Sequence, residues 1–187
     1  MGRGTQPAGE RQVLNAAGIE EALRRMSGAV GARNAPAARL VLIGIRTRGV
    51  PLAMRLGAFI AEDTGTDVPV GTIDITLYRD DLKARQGRPV QATHIPCPLD
   101  ARHVVLVDDV LYTGRTIRAA MDALTDFGRP LSIQLAVLVD RGHREFPIQA
   151  DYVGTTLDTA HDDQVRVQVS EIDGQDAVTL KACQPEA

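Results

Sequence analysis

Two adjacent carboxylates, Asp108 and Asp109, close the apolar run Val104-Val105-Leu106-Val107 and are followed by Val110, Leu111, Tyr112, Thr113, Gly114, Arg115 and Thr116. The run reads as a buried strand that delivers both acids to its carboxyl end. From Thr113 a helix is expected to open, because Ile117, Ala120, Met121 and Leu124 fall on one helical face. Amides at a helix N-terminus have no partner inside the helix and sit at the positive end of its dipole, which suits an anion. The two threonine hydroxyls add donors, and Gly114 lets the backbone come close. Carboxylates beside such a cradle suit diol hydroxyls or a divalent ion. The segment therefore has the outline of a sugar-phosphate site. The plainer alternative is a surface turn with solvated aspartates and threonines that cap a helix. Neither the GxxxxGKS/T nor the GxGxxG phosphate-binding pattern occurs.

The remaining elements say where that segment must sit. At 187 residues the chain is the length of one domain, read as a disordered arm over 1–12 and a single domain over 13–187. Asn15 is placed to cap a helix carrying Ile19, Ala22, Leu23, Met26 and Val30. Leu40–Ile45 is a continuous apolar run, as in a strand covered on both faces. The polar turn Arg46-Thr47-Arg48-Gly49 leads to Pro51 at a first helical position, then to Leu52, Leu56, Phe59 and Ile60. Val70–Tyr78 alternates as a half-buried strand, with Ile73, Ile75 and Leu77 inward. The charged stretch 79–93 is too long for a simple connection and reads as a lid or a disordered loop. Ser132–Val139 is a third core strand, and beyond Asp151 come short strands, Val165–Val169 and Ala177–Leu180, around Asp173-Gly174. Strand and helix alternation predicts an α/β fold with a mostly parallel sheet flanked by helices. Ligands of such sheets bind beyond the carboxyl ends of the strands. The polar loops 46–49, 108–116 and 140–145 should therefore meet in one crevice.

Composition narrows the class. With 21 basic and 24 acidic residues the net charge is −3, which excludes a generally basic nucleic-acid coat but allows a local patch. The few aromatic residues, 3 Tyr and 3 Phe, are too dispersed for a single-strand stacking platform. No apolar run is long enough for a membrane span, and the N-terminus lacks the apolar region of a signal peptide. Cys97 and Cys183 form no CxxC pair, so reduced thiols and a cytoplasmic location are expected.

The segment Val104–Thr116 resembles the 5-phosphoribosyl-1-pyrophosphate (PRPP) motif of type I phosphoribosyltransferases. Ile43–Gly49, Gly71–Asp81 and Ser132–Arg144 narrow the likeness to the PyrR family of bifunctional pyrimidine operon regulators and uracil phosphoribosyltransferases. It runs from about residue 13 to 181. The resemblance implies the type I fold with a small C-terminal hood from about residue 151. It also implies that Asp108 and Asp109 accept the ribose hydroxyls of PRPP while Thr113–Thr116 hold its 5-phosphate. Arg46, Thr47, Arg48 and Gly49 match the pyrophosphate loop, with Arg48 counted beside the two aspartates as catalytic. Tyr78, Arg79, Asp80 and Asp81 match the start of a mobile loop that closes over the site. Val139, Asp140 and Arg141 match the uracil region. Mg²⁺ is expected with PRPP, at most assisted by Asp108 and Asp109. Asp109 is a candidate to take the uracil N1 proton, although ribose binding explains it equally well.

The same resemblance implies binding of pyr mRNA under the control of UMP or UTP, on a homodimer or larger homo-oligomer. Candidate RNA contacts are Arg24, Arg25, Arg33, Arg141, His143 and Arg144. A solvated helix face accounts for Arg24 and Arg33 as well, and Gly28 stands where the family usually carries a polar side chain. Two other readings stay open: a regulator with vestigial catalysis, and a phosphoribosyltransferase for another base such as hypoxanthine or orotate.

Overall fold

A computed structural model describes residues 10–78 and 91–183. Five strands form the central sheet: β2 (Leu40–Ile45), β3 (Val70–Ile73), β4 (His103–Leu111), β5 (Ser132–Asp140) and β6 (Tyr152–Thr156), in the order β3-β2-β4-β5-β6. Every neighbouring pair is parallel. All six residues of β2 are buried, which is why its sequence shows no polar alternation. Successive side chains leave opposite faces. Leu40, Leu42, Val105 and Val107 thus pack with α1 (Ala16–Arg33) and α2 (Gly49–Thr64). Val41, Ile43, Val104 and Leu106 pack with Ile117, Ala120 and Leu124 of α3 (Arg115–Thr125). Asn15 caps α1 as expected, its side chain accepting the Gly18 N–H at 2.9 Å.

A second, antiparallel sheet in the order β1-β8-β7 forms the hood from β1 (Glu10–Asn15), β7 (Gln164–Gln168) and β8 (Ala177–Lys181). The one-turn helix α4 (Ser170–Asp173) joins β7 to β8 and closes on Gly174 at φ +75°.

Four expectations need correction. The disordered arm over 1–12 does not include Glu10, Arg11 and Gln12, which belong to β1 because Glu10, Arg11 and Gln12 pair with Lys181, Leu180 and Thr179. The hood does not begin near 151: β6 lies in the main sheet, where the Gly154 backbone is so close to β5 that a Cβ would stand 2.5 Å from the Leu138 carbonyl oxygen. The strand expected over Val70–Tyr78 stops at Ile73. The Asp74 carboxylate accepts the Thr76 N–H at 2.8 Å and the chain turns into a 3₁₀ helix, leaving Leu77 exposed. Pro51 is the third residue of α2 rather than the first. Of the expected mobile loop, Tyr78 is described, while Arg79, Asp80 and Asp81 lie outside the described residues.

Candidate active site

β4 is longer than its apolar run. Asp108 and Asp109 stay in the strand because the ladder continues, with Asp108 opposite Val137 and Val110 opposite Val139. Asp108 is buried at 6% exposure, and its Oδ1 accepts the Asp109 N–H at 2.9 Å. Asp109 is half-buried, and its Oδ1 accepts the Val110 N–H at 2.9 Å. Tyr112, Thr113 and Gly114 then lead into α3, with Gly114 at its N-cap and φ +91°, a conformation that favours glycine. The first intrahelical bond runs from the Arg118 N–H to the Gly114 carbonyl at 2.9 Å, so the amides before it lie outside the helical ladder. Thr116 is in the first turn beside Arg115, which pairs with Glu145.

The Arg46–Gly49 turn leaves the neighbouring strand and reaches the same end of the sheet. Its contact with β4 is intimate, since a Cβ on Gly49 would stand 2.3 Å from the Val107 carbonyl oxygen. The Arg46–Thr47 peptide bond is cis. Arg46 donates to Gln91 Oε1 at 2.7 Å and to the Ala92 carbonyl at 3.0 Å. Arg48 points the other way and makes a two-pronged ion pair with Asp173 of the hood, Nη2 to Oδ1 at 2.8 Å and Nε to Oδ2 at 3.0 Å. That bond raises the Arg48 pKa, with smaller support from the Asp109 charge, and it lowers the pKa of Asp173. Arg48 thus lies between the hood and the paired acids of β4.

The third loop also joins them, but its side chains face inward. The Glu145 and Phe146 amides donate to the Thr113 carbonyl at 2.9 and 3.1 Å. Asp140 accepts the Gly142 N–H with Oδ1 and Arg144 Nη2 with Oδ2. Arg144 also donates to the carbonyls of Tyr112, Gly142 and Ile148. Arg141 is buried at 7% exposure, donates to the carbonyls of Ala160, His161 and Asp163, and lies 4.2 Å from the Tyr112 ring centre. The guanidinium groups of Arg141 and Arg144 thus tie neighbouring loops together through backbone carbonyls, and an RNA contact by either residue stays a proposal. Val139 is fully buried in β5. His143 is at the surface, bonded to the Thr159 carbonyl at 2.7 Å and edge-on to Tyr112 and His161.

The other arginines lie apart on α1. Arg24 pairs with Glu20 and Glu62 and covers the Phe59 ring at 4.2 Å. Arg25 donates to the Gly154 carbonyl, and Arg33 pairs with Asp151 at 2.6 Å. Sequence reasoning missed Asp173 and the 157–163 loop held by Arg141, because a turn signal such as Asp173-Gly174 says nothing of a partner 125 residues away. Among the described residues no group of three or more His, Cys, Asp or Glu side chains is placed to hold a metal ion. No described helix is long and apolar enough to cross a membrane.

Residues 10–174 match the phosphoribosyl transferase domain family. The chain is 56% identical over 167 residues to the bifunctional protein PyrR of a Roseiflexus species, covering 89% of this chain and 91% of that protein. With the PyrR of Thermus aquaticus it shares 54% over 170 residues, covering 90% and 94%. Among solved structures, the Trypanosoma cruzi hypoxanthine phosphoribosyltransferase in complex with the product IMP superposes with a TM-score of 0.72 at 18% identity, covering 97% of this chain and 98% of that one. The Leishmania tarentolae enzyme in complex with GMP gives 0.69 at 17% identity, covering 94% and 97%. These two structures share the fold.

Proposed function

The chain belongs to the phosphoribosyl transferase family, among the PyrR proteins, and from that premise we propose that it transfers the phosphoribosyl group of PRPP to uracil, giving UMP and pyrophosphate, and also regulates pyrimidine genes by binding pyr mRNA in response to uridine nucleotides. The observation that carries the catalytic half is the seating of the Arg46–Gly49 turn on β4 beside Asp108 and Asp109. It brings the Arg46–Gly49 turn, a pair of carboxylates and a helix N-terminus to one end of the sheet, which supports this reading.

In this reading Asp108 and Asp109 accept the two ribose hydroxyls and fix the sugar. The hydroxyls of Thr113 and Thr116 and the amides about Gly114 donate to the 5-phosphate. Arg48 and the backbone of Thr47 and Gly49 receive the pyrophosphate, stabilising the negative charge that grows as the anomeric bond breaks. Uracil enters beside the end of β5. Both oxygens of Asp140 and the guanidinium of Arg141 are engaged internally. They therefore frame the base subsite, and contacts to uracil come from backbone groups of Val139–Arg141. Loop 157–163, which Arg141 ties in place, adds the far wall.

Asp109 Oδ2 has no partner among the described residues, and Asp108 stands next to it. One or two carboxylates beside a polyphosphate suit Mg²⁺, a hard cation that takes oxygen ligands and draws several from its substrate. When bound, the ion would neutralise and orient the pyrophosphate.

Conversion of labelled uracil to UMP with PRPP and Mg²⁺ tests the catalytic half. Retention of pyr leader RNA, measured against salt with and without UMP, tests the regulatory half, since phosphate contacts give a steep salt slope. A salt-independent signal would contradict RNA binding.

A further inference from the structure

We propose that Asp173, on the hood, is a positioning residue that orients Arg48 for the leaving pyrophosphate. The inference rests on the reading of Arg46–Gly49 as the pyrophosphate loop.

Arg48 starts from a fixed backbone. It is the residue before α2, and the next residue, Gly49, is pressed against the Val107 carbonyl. From there its side chain has several rotatable bonds and no further support from its own loop. The fork to Asp173 removes that freedom, because bidentate guanidinium–carboxylate pairing fixes the plane as well as the distance. It engages Nε and Nη2, and Nη1 has no partner among the described residues. The remaining edge can therefore meet an anion while the pair stays intact.

Asp173 is itself held. Its amide donates to the Val169 carbonyl at 2.7 Å, and its Oδ2 accepts the Val169 N–H at 3.0 Å. The same turn is clamped to α2 by Arg55, which reaches Glu171, Asp176 and Ser170 at 2.6 to 2.9 Å. The hood thus supplies a rigid carboxylate to a flexible arginine. Asp173 is more enclosed than its partner, with side-chain exposures of 11% and 30%, as expected of a support behind a group that faces the ligand.

The test is a double-mutant cycle read by binding of Mg²⁺-pyrophosphate and by steady-state kinetics with PRPP. Arg48→Met and Asp173→Asn should each weaken pyrophosphate binding about tenfold, the scale of one charge-assisted hydrogen bond. They should raise KM for PRPP and leave KM for uracil unchanged. In the Arg48→Met background, Asp173→Asn should add nothing. Arg48→Lys, which keeps the charge and loses the fork, should resemble Asp173→Asn and breaks the pair without touching the hood. If Arg48→Met weakens pyrophosphate binding while Asp173→Asn and Arg48→Lys do not, the positioning role is overturned and the loop reading stands. Tighter pyrophosphate binding by Asp173→Asn would overturn it too, because Asp173 would then be a competitor. If Arg48→Met itself changes nothing, the loop reading fails and takes this inference with it.

Discussion

The backbone of Gly49 touches the carbonyl of Val107, so closely that a single methyl at Gly49 would stand 2.3 Å from that oxygen. The Arg46–Gly49 turn, proposed to receive the pyrophosphate, and the strand that carries the acidic pair are in this way one rigid unit. Catalytic geometry depends on such contacts, because small displacements of the reacting groups are costly.

Gly49→Ala should therefore do more than its size suggests. The obstacle is backbone, which cannot swing aside, so overpacking should cost about 1–3 kcal/mol of stability. Turnover should fall by more than the folded fraction does. Denaturant unfolding together with kinetics on the folded protein checks both, and a neutral effect would mean the contact is looser than described.

Asp109→Asn replaces a half-buried carboxylate with a neutral group of the same shape. It should lower kcat/KM for PRPP by about 10- to 100-fold, as expected for loss of a charge-assisted hydrogen bond, with little change in melting temperature. Thr113→Ala should act in the same direction. Unaltered PRPP kinetics in both would move the site elsewhere.

Arg141→Gln removes donors from three carbonyls and the cation from the Tyr112 ring. Ala160 and His161 are exposed, so water replaces part of the loss, and each hydrogen bond is worth about 1 kcal/mol net. The chain should lose stability on that scale, and KM for uracil should rise more than KM for PRPP. A change confined to RNA retention would make Arg141 an RNA contact instead.

Hood attachment should fail in acid. Hydrogen bonds from Arg55 hold the carboxyls of Asp176 and Glu171 below their ordinary values, and Arg48 does the same for Asp173. Groups with depressed pKa in the fold stabilise it above their unfolded values, about 4, and that contribution is lost as pH falls through the folded values. The melting-temperature gap between the native protein and Asp176→Asn should be constant from about pH 8 to 5 and shrink below about pH 4. A gap that persists at pH 3 would refute the assignment.

Much of the frame was legible because burial writes itself into sequence. Leu40–Ile45 and Val104–Val107 are covered on both faces and show unbroken apolar runs, and Asn15 announced its helix through one side-chain acceptor. The three loops do converge, as strand order requires. What escaped was set by distant partners. Glu10–Gln12 are polar and become a strand only because β8 lies alongside. Asp108 and Asp109 look like loop residues, yet the β5 ladder keeps them extended. Arg141 and Arg144 read as plain surface charges, yet each donates to carbonyls of neighbouring loops. The pairing of Arg48 with Asp173 left no local trace.

The identity of the base decides the function. The most direct measurement incubates the protein with PRPP and Mg²⁺ and, in parallel, labelled uracil, hypoxanthine or orotate, with each product identified. Uracil should give UMP, and the other two should give no nucleotide. IMP from hypoxanthine, with uracil untouched, would keep the fold and contradict the function.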